Sequence, residues 1–558
     1  MIRQVRDVWE LVLTPLSPVH VGTGRDYEPT EYVIEGHTLY AFSSQAMAQA
    51  LLPPEWKRLE ATTSATPDVT MLRSVQALFH EARDRLAAQA EDALPVAPGL
   101  AALYQARVGQ TAQRESAGRE IINRMAIERC AREGAGGAAI VPGSSLKGSV
   151  RTALLNALNA DAGRRFDSRE RDAHRKLEQA LLGYQPHRFE QDPLRLVNLS
   201  DARPVQADAP HTEIRFAVNR HKRERRLVSR GGPTEPRGTY QLLETVIGMR
   251  LRTFQASLGI QPIPPDRSIP DDWVPRADRR FSARHIADAC NRFYRPLLES
   301  EIEALRSRGF LSSEWAGVQA RLLETMRPSI EAGRAFLLRV GRHSGAESVT
   351  LDGVRSIRIM SGKGKEPRYL SEATTWWLAA GDHDDQRHLV PFGWMLVEMR
   401  RPGEELPDLM AVREMLDEYQ RPLTEWMETE RSRRQELRSR RQEAERRRKE
   451  ADERAAAEER RERERAARLA SMSAEEQKLD ELVAWYEEDR AAGQTDAGGR
   501  LANRLRELMA AADGWPMESR RALADLGERI YSLVGWGKGR KKQEKKARLA
   551  ALRGEHGE

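Results

Sequence analysis

Residues 140–155 read IVPGSSLKGSVRTALL, a glycine–serine turn that runs straight into a basic helix with an apolar stripe. Gly143, Ser144 and Ser145 favour a tight turn, and either serine can cap the helix that follows. Lys147 and Arg151 stand four residues apart, on one face near the predicted helix start. Val150, Leu154, Leu155 and Leu158 supply the opposite, buried stripe. Backbone N–H groups, the positive helix end and two cations converge here, which suits an anion, with phosphate the expected one. A plain capped core helix is the competing reading of the same residues. A nucleotide cradle is not: Gly143 and Gly148 have the right separation, but Ser149 stands where the P-loop lysine belongs.

Working outward, the 558 residues suffice for two or three domains. Lys and Arg total 91 against 84 acids, a formal charge of +7 whose distribution is uneven. Cys130 and Cys290 lie far apart without C-x-x-C spacing, so neither a disulfide framework nor a cysteine zinc site is expected. The N-terminus carries charges within its apolar stretch, unlike a signal peptide, and no run of 18 apolar residues is present. A cytoplasmic protein with no membrane partner, metal or cofactor is the expectation.

Upstream of the motif, Val8–Thr14 alternates as a half-buried strand, ended by Pro15 and Pro18. His20–Gly24 (HVGTG) reads as a turn, and Glu35-Gly36-His37 joins a hairpin. Ser43 or Ser44 caps a helix toward Leu52, and residues 65–135 read as largely helical. Downstream, Leu194–Leu199 reads as a strand ending at Ser200-Asp201, Tyr240–Gly248 as another, and 281–335 as helical. Phe336–Val340, a glycine-rich turn over 341–353 and the strand Val390–Glu398 close the region. Strands interleaved with helices predict an α+β fold with antiparallel sheets. From Glu430 to Arg468 nearly every residue is charged or Ala, and seven Glu-to-basic pairs at i,i+4 predict an exposed spacer helix. Residues 473–535 predict a small helical bundle, followed by a basic, mobile tail over Lys538–Arg548.

Residues 215–230 hold seven cations, Arg215, Arg220, Lys222, Arg223, Arg225, Arg226 and Arg230, against Glu224 alone. Such density follows a polyanion backbone, with a solvated loop as the alternative. Gly22 and Gly24 permit close backbone approach, and Arg25 follows them. His20 is a candidate general base for attack by an RNA 2′-hydroxyl, although a turn histidine is more often structural. Asp201 has no companion carboxylate at metal spacing. The loop Gly381–His388 holds His383, Asp384, Asp385 and His388 without a recognisable ligand spacing, and reads as polar surface.

In this order, the pieces resemble the RAMP superfamily of CRISPR effector proteins. LTPLSPVHVGTGRDYEP resembles the family's opening strand and glycine turn, and IVPGSSLKGSVRTALL is similar to its PGSSxKGxxR helix. LVNLSDARP resembles the strand before the thumb-like insertion, while GMRLRTF and LRVGRHSG stand where the family has its second-half strand and glycine loop. Within the superfamily the chain looks most like the subunit that caps the crRNA 3′-end side of type III-A complexes.

That resemblance implies two ferredoxin-like (RAMP/RRM-like) halves with helical insertions, over 1–190 and 191–405. A charged helix over 406–470 and a helical domain over 471–558 form an α-helical extension. It implies a subunit without catalysis that binds guide RNA through His20, Gly22, Gly24, Arg25, Gly143, Ser144, Ser145, Lys147, Arg151, Arg220, Lys222, Arg223, Arg225 and Arg226, supporting crRNA maturation and antiviral defence. The implied partners are crRNA, other type III effector subunits and host nucleases that trim crRNA. The alternatives are a metal-independent endoribonuclease using His20, a repeated backbone RAMP subunit, and a helical adaptor.

Overall fold

The computed structural model of the chain describes residues 7–64, 69–108, 112–114, 120–122, 125–134, 137–165, 172–206, 210–224, 227–229, 232–234, 239–263, 270–360, 364 and 366–555. The chain forms two compact units, residues 1–438 and 439–558.

The first unit is mixed α/β and holds two six-stranded sheets. One orders Arg203–Pro204, Phe254–Ile260, Asp7–Pro15, Trp394–Arg400 and Ala335–Arg339, with Val197–Leu199 also pairing Phe254–Ile260. Asp7–Pro15 lies inside it, with Leu11 opposite both Ala256 and Met399. Residues Leu11–Pro15 are therefore all buried, where alternation alone predicts one wet face. The helices Gly143–Ala162 and Ala283–Ser307 pack into the same core, so Leu146, Val150, Leu154, Ile286 and Phe293 share one buried cluster with Leu11 and Leu13.

The other sheet orders Gly22–Tyr27, Ile127–Cys130, Tyr240–Val246, Thr212–His221, Thr375–Ala380 and Val390–Pro391. Its Tyr240–Val246 and Ile127–Cys130 strands run parallel, and the rest pair antiparallel. Each sheet combines strands from before and after residue 190. Asp7–Pro15 lies between two later strands in the first, and Gly22–Tyr27 and Ile127–Cys130 form one edge of the second, so neither sheet belongs to one of the two expected successive stretches. Pairing between residues more than 200 apart leaves no periodic trace in a sequence.

Glu244 ties this sheet together from inside. Its carboxylate is fully buried and accepts from Arg132 Nη2 at 2.5 Å, Thr212 Oγ1 at 2.8 Å and the Cys130 N–H at 2.9 Å. Arg132 also donates to the Tyr27 hydroxyl at 3.0 Å and pairs with Asp92 at 3.2 Å. One charge pair thus joins four strands and a neighbouring hairpin.

Local expectations fare unevenly. The Tyr32–Glu35 and Thr38–Ala41 hairpin forms, with Asp92–Pro95 as its third strand, and Ser43 caps the helix Ser44–Ala50. The 65–135 stretch is helical over Val69–Glu81, Arg83–Gln89 and Pro98–Arg107, but strands occupy Asp92–Pro95, Ala112–Arg114, Glu120–Ile122 and Ile127–Cys130. The strand read over Leu194–Leu199 shortens to Val197–Leu199, after a 3-10 turn that starts at Pro193.

The charged helix runs from Arg421 to Ser471, longer than the charged stretch Glu430–Arg468 but starting after residue 406, and its start is not a free spacer. Glu430 is buried and accepts from the Tyr40 hydroxyl at 2.7 Å, and Arg433 pairs with Glu35. Further along, Arg447–Glu443, Lys449–Glu445 and Arg463–Glu459 form as the i,i+4 spacing predicts. In the second unit, the helices Ala474–Ala491, Arg500–Ala511 and Met517–Val534 enclose Leu482, Leu505, Leu523 and Ile530. The expected mobile tail is instead the helix Arg540–Arg553, docked on that core through Leu549 and Leu552, because its two leucines lie on one face.

Replacing Glu244 with Leu strands the buried Arg132 guanidinium and should cost the first unit about 3–5 kcal/mol. Urea unfolding followed by tryptophan fluorescence checks this; a loss under about 1 kcal/mol would remove Glu244 from its organising role.

Candidate nucleic-acid interface

Four sequence motifs, spread over more than 300 residues, meet through backbone hydrogen bonds. The Val21 carbonyl accepts from the Ala131 N–H at 2.7 Å, and the Ala131 carbonyl from the Ile140 N–H at 2.9 Å. That ladder leads from HVGTG directly into IVPGSSLKG. Val141 and Ala202 exchange bonds of 3.0 and 2.8 Å, which brings in LSDARP. The Arg342 N–H donates to the His20 carbonyl at 2.8 Å, which brings in GRHSG.

The motif helix begins at Gly143, with Pro142 as its N-cap residue. Ser144 and Ser145 lie in the first turn and make no capping bond, which corrects their expected role. The cap comes from outside: the Gly143 N–H donates to Asp201 Oδ1 at 2.7 Å. A carboxylate of the chain itself therefore holds the positive helix end expected to receive phosphate. A Cβ on Gly143 would lie 2.4 Å from the Leu199 carbonyl, so this glycine serves close packing. Ser144 and Gly148 are exposed, and beside Gly148 there is open space.

Lys147 is half-buried and makes no hydrogen bond or ion pair among the described residues. Arg151 pairs with Glu178, so the second expected phosphate ligand is already engaged. Ser149 donates to the Arg339 carbonyl at 2.7 Å, fastening the helix to strand Ala335–Arg339. Arg339 in turn is buried against Glu301 at 2.8 Å, and the Trp394 indole donates to the same carboxylate.

His20 is fully buried, which corrects its assignment as an RNA contact and as a solvent-facing base. Its Nδ1 lies 2.6 Å from the Glu244 carbonyl, and its Nε2 is 3.9 Å from Glu128. Burial is the largest influence and holds the imidazole below its usual pKa. A Cβ on Gly22 would sit 3.0 Å from that Nε2. The HVGTG segment is not a simple turn: Gly22–Tyr27 is a strand whose register slips between Gly22 and Asp26. Gly22, Gly24 and Arg25 are exposed there, with Gly24 at φ +75° and open space beside it.

The basic run divides differently from its expectation. Arg220 is 1 % exposed and donates to the carbonyls of Asn219, His383 and Asp385, so it is a structural residue and not an RNA contact. Arg215 pairs with Glu213, and Lys222 with Glu347 at 2.7 Å. These three belong to a regular strand or its end, where alternate side chains turn inward. Arg223 is exposed, whereas Arg225, Arg226 and Arg230 lie outside the described residues. Arg342, not singled out in the sequence, stands exposed at the motif junction beside Glu128. Its signal was the GRHSG loop itself. In the 381–388 loop, Asp382, His383 and Asp384 bring their ligand atoms within 4.8 Å of one another, while Asp385 accepts from the Gly381 and Asp382 N–H groups.

Residues 12–254 match the family model of the RAMP superfamily. No curated protein sequence matches the chain. Among solved structures, the chain is similar to one in the Csm–crRNA–target RNA ternary complex of a type III-A CRISPR-Cas system, at 16% identity and TM-score 0.38, covering 70% of this chain and 100% of that one. It is also similar to Csm5 of T. onnurineus, at 15% identity and TM-score 0.40, covering 69% and 99%. Both likenesses are distant. Among the described residues, no helix is long and apolar enough to cross a membrane.

The junction carries a pH signature. Burial, then Arg342 and His20, push the half-buried His343 from 6.5 to about 3, in the same direction as His20. Both histidines bind protons more readily unfolded, so their contribution is complete above about pH 6.5 and declines as pH falls toward 3. The His343→Gln chain should therefore lose less stability than the parent between pH 7 and pH 4.5 in urea titrations. Equal losses would contradict the assignment. Gly143→Ala, ordinarily favourable in a helix by about 1 kcal/mol, should here be destabilising because Cβ meets backbone; thermal unfolding reads the sign.

Proposed function

We propose, for a chain whose residues 12–254 match the RAMP superfamily model, that it is a guide-RNA-binding subunit of a type III-A CRISPR effector complex, without catalysis of its own. In this reading it lies at the crRNA 3′-end side, alongside other effector subunits and the nucleases that trim crRNA. On the same reading, the two six-stranded sheets are the counterparts of the ferredoxin-like halves expected of such a subunit.

The observation that carries the reading is the convergence of HVGTG, PGSSLKG, LSDARP and GRHSG at one junction. Around it stand exposed glycine backbone at Gly24 and Gly148, and the cations Arg25, Lys147 and Arg342. A rigid junction with open glycines and few, separated cations suits a sugar–phosphate backbone tracked without regard to base. A guide whose spacer varies demands contacts of that kind. His20, enclosed under the junction, acts as its internal strut and not as a nuclease base.

Reversing charge at Arg25 and Lys147 together should weaken crRNA binding by roughly tenfold or more and lower the salt dependence by about one ion per lost contact. The loss should be the same for unrelated spacer sequences. Filter binding over a salt series checks both, and unchanged affinity would overturn the proposal.

A further inference from the structure

The C-terminal unit separates its charges sharply. Residues 474–537 hold 13 acids and eight Lys or Arg, whereas 538–553 hold eight Lys or Arg and the single acid Glu544. The acidic bundle thus carries one strongly basic helix. Its arginines and lysines are used differently. Arg540 pairs with Glu544, Arg548 with Asp513, and Arg553 with Asp525 and Glu528. Lys538, Lys541, Lys542, Lys545 and Lys546 have no ion pair among the described residues.

The spacing puts these lysines together. Lys541 and Lys545, and likewise Lys542 and Lys546, are four apart on adjoining rows of one helix face. Like charges so placed repel, and no internal carboxylate relieves them. Arg506 of the neighbouring helix adds to the same field: burial first, then Arg506 and Lys541, hold the Lys545 ammonium below its usual pKa. Aromatic rings border the patch, with Lys545 Nζ 4.2 Å from the Tyr531 ring centroid and Lys546 Nζ 5.8 Å from that of Trp536. Lys538, Lys541, Lys542 and Lys546 are exposed.

We propose that the Lys541–Lys546 face of helix Arg540–Arg553, with Lys538 just before it, is a second, separate nucleic-acid site that binds the phosphodiester backbone without sequence preference. Lysine ammonium groups on flexible stems act as point charges toward phosphates, whereas the fork-shaped arginines here fasten the helix to its own bundle. Tyr531 is buried in the bundle core, but the part-exposed Trp536 ring beside Lys546 offers a face for a base, which favours nucleic acid over an acidic peptide. The site does not depend on the RNA track of the first unit, since it lies wholly within residues 439–558.

The test uses the full chain with Lys541, Lys542 and Lys546 changed to Gln, and a second chain with the same three changed to Arg. Fluorescence anisotropy follows a single-stranded RNA, the matching single-stranded DNA and a DNA duplex over a salt series. The Gln variant should lower the slope of log K against log salt by about 2 for single strands, and weaken binding by roughly tenfold at 0.1 M salt. The Arg variant should restore both. Whichever strand loses most identifies the source of the phosphate. Unchanged slopes on all three probes overturn the proposal. Polyglutamate binding and phosphatidylserine-vesicle sedimentation run alongside, and a loss confined to either also overturns it, assigning the patch to an acidic protein or a membrane. A Lys147→Glu chain in parallel separates the sites: it should keep the slope change caused by the three Gln substitutions even if the first unit binds no RNA.

Discussion

The buried carboxylate of Glu244 is the constraint on which the first unit turns. A charge with no exposure requires compensation from every side, and Arg132, Thr212 and the Cys130 N–H supply it. Its backbone carbonyl faces His20, so the same residue fixes the start of the HVGTG segment. From that anchor the ladder through Ala131 and Ile140 sets where the motif helix begins. The junction is rigid because its polar groups are buried and bonded, not because it is densely charged.

Several motif residues that look like ligand groups are architectural. Asp201 caps the helix end, Gly143 lets that end approach strand backbone, and Arg151 closes on Glu178. Arg220 binds three carbonyls from inside. What remains outward is sparse: Arg25, Lys147 and Arg342, with open backbone at Gly24 and Gly148. Sparse cations on a fixed frame give positional control of a flexible polyanion, whereas a dense patch gives affinity alone. The outward cations of the first unit are spaced in the first manner, and those of helix Arg540–Arg553 are crowded in the second.

The long charged helix joins chemistry of both kinds. At its start, Glu430 is buried under Tyr40 and burial raises its carboxyl above the usual range. Farther on, Glu–Arg and Glu–Lys pairs in water contribute only about 0.2–0.5 kcal/mol each. Composition reads the second regime correctly, since i,i+4 pairing is local. It misses the first, since nothing near Glu430 in the sequence announces Tyr40.

By itself, the sequence determined the local elements and the motifs HVGTG, PGSSLKG, LSDARP and GRHSG. The hairpin around Gly36, the Ser43 cap, the helix after Pro142, the paired charges beyond residue 440 and the helical bundle all follow from short-range spacing. Only the tertiary structure decided which polar residues face outward. His20 and Arg220 carry the right chemistry in the right motifs, yet burial removes them from the surface, and Arg151, part-exposed, pairs with Glu178. The combination of strands from both sides of residue 190 and the capping of Gly143 by Asp201 have the same origin. Long-range pairing satisfies buried backbone and charge, and its partners are chosen by three-dimensional packing, which short-range sequence periodicity does not encode.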